Sequence, residues 1–347
     1  MKSQLDSKLK FWLKVAGRVI LSLLFLTCIG LVYFIGLTLR YRKLPGDDGF
    51  VHQVAKKAIC RQWHTQFEFK DSDKKDLIPN CQESLEFQST NTFVTSENGQ
   101  IHLKEFKLES IAKAALSLGS PTPIWLHVHG ITGNWLSAAR YIEPANRLGF
   151  RLFGMDLSNH GESTNDGRGA FWGCREASDI VSVVRYIKSK APPLTPIVIS
   201  AVSMGTLAVA MAERQLQDLG VTMLLLEAPI EKVQNTLPPW SLPFAYTALK
   251  IRSFQDGMDL TTCNASLSLS QFRTPTLLIT LQDDPFIRVS DVKHYLDTLP
   301  SDLMKKLVVY KSGIHTLAFN FNRLEFVNEF YSFYRDAQID QSHRYLK

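Results

Sequence analysis

Residues 194–214 read LTPIVISAVSMGTLAVAMAER. Ile197 to Ser200 is a short apolar, β-branched run that closes a proline-rich linker (Pro192, Pro193, Pro196). A run of this kind predicts a strand buried on both faces of a parallel sheet. From Thr206 to Leu219 the chain is rich in Ala, Leu and Met and predicts a helix packed along one face. Only Ala201-Val202-Ser203-Met204-Gly205 lies between them, so strand passes into helix almost without a loop, with Ser203 at the apex. Such a turn lifts a serine Oγ above the sheet edge. It also leaves the N–H of the next residue, Met204, at a helix N-terminus, where it can help hold an oxyanion. The pattern is small-x-Ser-x-Gly, with Ala201 in the first place, because strand and helix backbones must approach closely there. Alone it is a weak signal, since a serine capping an ordinary helix produces it too.

Outward from this turn the chain alternates. Strands are expected at Ile124–Val128, Arg151–Met155, Met223–Leu226, Thr276–Leu281 and Leu307–Tyr310. Helices are expected before Leu148, at Glu176–Lys188, at Val289–Leu299 and at Leu324–Tyr334. Asn98-Gly99 between two β-like runs, Thr92–Ser96 and Ile101–Leu108, predicts an antiparallel hairpin at the start of the domain. Strand–helix alternation with short loops gives a mainly parallel sheet covered on both faces, with its chemistry beyond the carboxyl ends of the strands. Pro229 to Phe272, with Pro238, Pro239 and Pro243, reads as irregular.

The strand ends hold the reactive residue types. The first parallel strand runs into His127-Val128-His129-Gly130-Ile131-Thr132-Gly133-Asn134. Glycines here let backbone approach a ligand, and the N–H of Ile131 is the candidate second oxyanion donor. The next strand leads into DLSNHGES, Asp156 to Ser163, read as a structural loop beneath the site, His160 included. Gln282-Asp283-Asp284-Pro285-Phe286 follows a later strand, with Asp284 the candidate acid and Asp283 its rival. After the last strand comes Ser312-Gly313-Ile314-His315-Thr316, where Gly313 lets the chain turn and leaves His315 at the same edge.

The +6 formal charge of the 347-residue chain belongs to one end. Residues 1–43 carry eight Lys or Arg against Asp6 alone, a net +7, and the remainder is −1. This argues against a nucleic-acid surface and for the flanks of a membrane span. Val19 to Leu39 is 21 residues without a charge, where about 20 suffice to cross a bilayer. The run is longer than a cleaved signal's apolar region, and no small-x-small site follows it. The expectation is an uncleaved single-pass anchor through residues 19–39, in a cell inner or plasma membrane. Five basic residues precede it and five follow within about 20 residues, so charge does not orient it. Domain boundaries follow: an anchor with basic flanks at 1–43, a polar connector at 44–90 with some helix near Val51–Trp63, and a folded domain at 91–340. Five cysteines show no C-x-x-C spacing; Cys60 and Cys81 could pair in an oxidising compartment, and free thiols fit as well.

The order Ser203…Asp284…His315 is that of the α/β-hydrolase triad, and the chain resembles that superfamily over roughly residues 90–340. The likeness is carried by His129-Gly130-Ile131, by DLSNHGES (similar to D-x-x-x-x-G-x-S), by Ala201 to Gly205, by Asp284 and by His315. Trp172-Gly173-Cys174-Arg175-Glu176-Ala177-Ser178-Asp179 also looks like the G-x-x-E-x-x-D helix start of a minimal-lid branch that includes membrane-anchored esterases and lipases and peptidase-like enzymes. The chain departs from the family at Ala201 and at Leu281, where glycines are common. The resemblance implies an α/β-hydrolase fold: a mostly parallel eight-stranded sheet, helices on both faces and a short lid over about 229–272. It implies Ser203 as nucleophile, His315 as base, Asp284 as its orienting acid, and Ile131 and Met204 as oxyanion donors, with no metal or cofactor. The expected substrate is a small-molecule or lipid ester. Peptidase, acyltransferase and non-catalytic binding readings of the same fold stay open, and so does whether Trp240, Phe244, Tyr246 and Phe254 line an acyl pocket or merely cover the sheet edge.

Overall fold

The computed structural model describes residues 20–34, 36, 89–106, 121–237, 241–311, 313 and 315–345. They fall into two compact units, one drawn from Met1–Arg40 and Leu237–Thr262, the other from Tyr41–Thr236 and Cys263–Lys347.

The larger unit is built on eight strands: β1 (Ser89–Ser96), β2 (Gly99–Phe106), β3 (Ile124–Val128), β4 (Arg151–Met155), β5 (Ile197–Val202), β6 (Val221–Glu227), β7 (Thr276–Leu281) and β8 (Lys305–Tyr310). Their spatial order is β1-β2-β4-β3-β5-β6-β7-β8. The hairpin β1-β2 and the pair β2-β4 are antiparallel, and all other pairs are parallel. The mostly parallel eight-stranded sheet is therefore as expected. The hairpin turn is Glu97-Asn98, with Ser96 paired to Gly99, one residue earlier than the Asn-Gly dipeptide suggested.

Every residue of β3, β5 and β7 is buried, as parallel strands covered on both faces must be. Helices α1 (Ile142–Leu148), α2 (Glu176–Lys190) and α3 (Met204–Asp218) precede or follow these strands closely. Beyond β6 the larger unit holds α5 (Ser266–Leu269), α6 (Val289–Thr298), α7 (Ala318–Phe321) and α8 (Arg323–Tyr345). One side of the core is aromatic. Trp125 of β3 stacks on Tyr141 at 4.8 Å and on Phe330 of α8 at 4.3 Å between ring centroids. Its indole N–H donates to Ser200 Oγ at 2.8 Å, so the buried ring leaves no polar group unpaired.

The smaller unit contains helix at residues 20–34 and the 15-residue α4 (Leu242–Asp256), with a 3-10 turn at Leu260–Thr262. The irregular reading of 229–272 is thus corrected. Pro243 stands in the first turn of α4, where a missing N–H costs nothing. Gly257, at φ 69°, ends the helix in the left-handed conformation. Phe254 is 92% exposed and Tyr246 53%; Trp240 lies outside the described residues.

Among the described residues no helix is long and apolar enough to cross a membrane. The described helix covers 20–34, and residues 19, 35 and 37–39 of the expected span lie outside. Leu21, Phe25, Leu26 and Tyr33 of that helix are each more than 60% exposed. The connector, its expected helix and Cys60 and Cys81 lie outside as well. Among the described residues Cys174 and Cys263 form a disulfide, with Cα atoms 5.5 Å apart, a pairing that the sequence did not suggest.

Candidate active site

Ser203 follows β5 directly and opens α3. Its backbone, at φ 50° and ψ −123°, is one that a residue with a side chain adopts only under constraint. The constraint is visible. Ser203 N–H donates to the carbonyl of Glu227 at 3.0 Å, and Thr206 N–H donates to the carbonyl of Ser203 at 2.8 Å. A Cβ on Gly205 would lie 2.5 Å from the carbonyl oxygen of His129, which explains why the last position of the motif takes only glycine. Ala201, 1% exposed and paired with Val128, fits its Cβ without disturbing the turn.

The three expected side chains meet. Nε2 of His315 lies 3.0 Å from Ser203 Oγ, and Nδ1 of His315 lies 2.7 Å from Asp284 Oδ2. The other carboxylate oxygen of Asp284 accepts the N–H groups of Phe286 and Ile287 at 2.9 and 3.0 Å. Burial pushes the Asp284 carboxyl up, but the His315 hydrogen bond, the His315 charge and these two amides outweigh it and hold it below the usual carboxylate range. An ionised Asp284 requires the His315 proton on Nδ1, so Nε2 is left to accept from the serine hydroxyl. Asp283 is exposed, and Asp284 alone of the pair reaches the imidazole. The His315 side chain is partly accessible, at 18%, and Ser203 is buried, at 8%.

Both oxyanion candidates lie beside the serine. Met204 is the first residue of α3, whose N–H has no partner within the helix. Ile131 follows Gly130, where a Cβ would come within 3.2 Å of Ser203 Cβ. The carbonyl of Gly130 accepts His129 Nδ1–H at 2.6 Å and Gly133 N–H at 3.0 Å. His129 Nε2 accepts Leu157 N–H at 3.0 Å, which places the ring proton on Nδ1. Burial keeps His129 neutral by lowering its pKa, although Asp156 and the Gly130 carbonyl pull the other way. Because a trans peptide points its C=O and N–H in opposite directions, this clamp turns the Ile131 N–H away from His129.

The two remaining motifs are scaffolding. Asp156 accepts His102 Nδ1–H at 2.8 Å, Trp135 N–H at 2.6 Å and Glu162 N–H at 2.8 Å, and the DLSNHGES loop wraps around that carboxylate. His160 is buried in the loop, with Nδ1 on the carbonyl of Ser158 at 3.0 Å. Glu176 accepts the N–H groups of Phe171 and Gly173, and Asp179 ties Ser96 and Asn98 of the hairpin to Ser158 N–H. Sequence reasoning missed two further groups near His315. Glu227 Oε1 accepts the N–H of Ala318 at 2.7 Å, and Arg140 Nη1 donates to the carbonyl of Thr316. The only sequence signal was an acid directly following an apolar run, Met223–Leu226.

No protein-family model matches the chain. The uncharacterised protein YqkD of Bacillus subtilis (strain 168) is 26% identical over 207 residues, covering 56% of this chain and 65% of that protein. The match thus spans slightly less than two thirds of that relative's length. Among solved structures, the esterase Pf2001 of Pyrococcus furiosus aligns at a TM-score of 0.54 and 16% identity over 72% of this chain and 93% of its own. A membrane phospholipase A, described as a bacterial virulence factor, aligns at 0.53 and 15% over 92% of this chain and 99% of its own. A thermophilic esterase from Thermogutta terrifontis aligns at 0.50 and 15% over 72% and 99%. Together with the strand order, these likenesses establish the α/β-hydrolase fold.

Proposed function

We propose that this protein is a serine hydrolase of carboxylic esters, lipid-derived ones among them, working through an acyl-enzyme and held to a membrane by residues 19–39. The observation that carries the reading is the relay of contacts from Ser203 Oγ to His315 Nε2, 3.0 Å, and from His315 Nδ1 to Asp284, 2.7 Å.

Ser203 Oγ attacks the acyl carbonyl carbon while its proton passes to His315 Nε2. The carbonyl oxygen becomes an oxyanion, held by the N–H groups of Ile131 and Met204. Asp284 keeps the imidazole in the required tautomer and stabilises the imidazolium. The imidazolium then gives its proton to the leaving alkoxide oxygen as the C–O bond breaks, and the acyl group stays on Ser203. Water attacks the acyl-enzyme with His315 again taking the proton, the carboxylic acid departs and the serine is restored.

The inclusion of lipid-derived esters is supported by the charge-free segment over 19–39 and by a fold shared with a membrane phospholipase A. The Cys174–Cys263 disulfide supports a catalytic domain on the oxidising side of the membrane. A fluorophosphonate probe tests the reading: it labels the wild type and not Ser203→Ala. Labelling that persists in Ser203→Ala overturns the assignment. A panel of acyl esters of increasing chain length, run with and without an added alcohol acceptor, separates hydrolysis from acyl transfer.

A further inference from the structure

The turn that carries His315 is held from two sides by groups outside the relay. Glu227 ends β6, and its buried carboxyl accepts the N–H of Ala318 at 2.7 Å, three residues past His315. Arg140, in the 3-10 helix Trp135–Tyr141, donates to the carbonyl of Thr316, the residue after His315. A second bond, from Arg140 Nε to the carbonyl of Ser137 at 2.9 Å, fixes the guanidinium. Between these two pins lies strain. Thr316 sits at φ 62°, an unfavourable conformation for a β-branched residue. Such a conformation persists only where its surroundings over-determine it.

We propose that Glu227 and Arg140 are positioning residues: together they fix the turn from His315 to Ala318 so that the imidazole meets Ser203, and Glu227 does so as a hydrogen-bond acceptor and not as a charge. This rests on the reading of Ser203 as the nucleophile. The ionisable groups that act on Glu227 or respond to it are Arg140, Tyr141, Asp284, Tyr310 and His315. Burial raises the Glu227 carboxyl above its ordinary value, more than Arg140, the Ala318 amide and His315 lower it. Its other oxygen, Oε2, is buried with no partner among the described residues.

Three variants of the full chain test this: Glu227→Gln, Glu227→Ala and Arg140→Met, each compared with wild type by circular dichroism, steady-state hydrolysis of a short-chain p-nitrophenyl ester and the rate of fluorophosphonate labelling. Glutamine reproduces both the acceptor oxygen and the neutral donor of a protonated carboxyl. Glu227→Ala should lower kcat about 100-fold, the cost of displacing a catalytic group by about 1 Å, with KM within about threefold. Arg140→Met should lower kcat at least about tenfold with the same KM pattern. Glu227→Gln should keep kcat within about threefold and superimpose on the wild-type pH profile. Wild-type kcat in folded Glu227→Ala or in Arg140→Met overturns the proposal, as does Glu227→Gln falling as far as Glu227→Ala. If Glu227→Ala does not fold, Arg140→Met and Glu227→Gln decide by the same criteria. A wild type that the probe does not label defeats the hydrolase reading and this inference with it. Labelling that is lost in Ser203→Ala but proceeds at the wild-type rate in Glu227→Ala defeats this inference alone.

Discussion

Asp283 and Asp284 follow the same strand, yet one side chain is exposed and the other is in contact with the imidazole. Replacing Asp284 by Asn keeps the shape but offers His315 an amide that can stabilise the wrong tautomer. We expect Asp284→Asn to lower kcat by about 10⁴-fold and Asp283→Asn to leave it near wild type, as measured on a soluble ester. Charge at single residues also sets the response to pH. Burial raises Asp156, but the bonds from His102 and the Glu162 amide and the neighbouring His129 outweigh it, so its pKa is net lowered. Its contribution to stability is therefore present above the ordinary carboxylate value and lost as pH falls through the depressed one. Glu227 is raised by burial, so the sign reverses: its contribution is present below the ordinary value and lost as pH rises through the raised one. Melting temperatures across pH should show Asp156→Asn flattening the acid limb and Glu227→Gln flattening the fall that begins as pH rises above the ordinary carboxylate value.

At the scale of elements, the loops that resemble family motifs support the site without touching the reacting atoms. Asp156→Asn removes the carboxylate that His102, Trp135 N–H and Glu162 N–H share and should cost about 1.5–3 kcal/mol of stability, measured by urea unfolding, while kcat per folded molecule stays within tenfold. Trp125 joins β3 to α8 through its stack with Phe330. Trp125→Ala should cost about 3–5 kcal/mol by the same measurement. Elements also account for what could be read in advance. β7 was legible to the residue, Thr276–Leu281, because an apolar run lies between Pro275 and the polar Gln282-Asp283-Asp284. The serine turn was legible because five residues leave no room for a loop. Helix α4 was not, because three prolines close together mask a helix whose own Pro243 sits in the first turn, where proline is tolerated. Glu227 was not, because an acid closing a strand looks like a residue turned to water; only the fold shows it buried under the His315 turn.

At the scale of the whole molecule, two features bear on where the protein works. If residues 19–39 anchor it, the full chain should sediment with membranes and resist high salt, and a variant lacking residues 1–43 should not. The sequence alone could argue this segment from length and charge, but equal flanking charges left the facing open. The Cys174–Cys263 pairing was invisible in the sequence, since two cysteines 89 residues apart are joined by the fold and by no local pattern. By the loop-closure estimate, a crosslink over that separation stabilises by about 4 to 5 kcal/mol, so Cys174→Ser should lower the denaturation midpoint, as should a thiol reductant in the wild type.

The crosslink encloses β5, Ser203, β6 and all of residues 237–262 within one covalent ring. A protease that cuts once between residues 174 and 263, at the exposed Phe254 for example, opens the ring without releasing a fragment. The clipped molecule migrates as a single species on a denaturing gel and separates into two only once thiol is added.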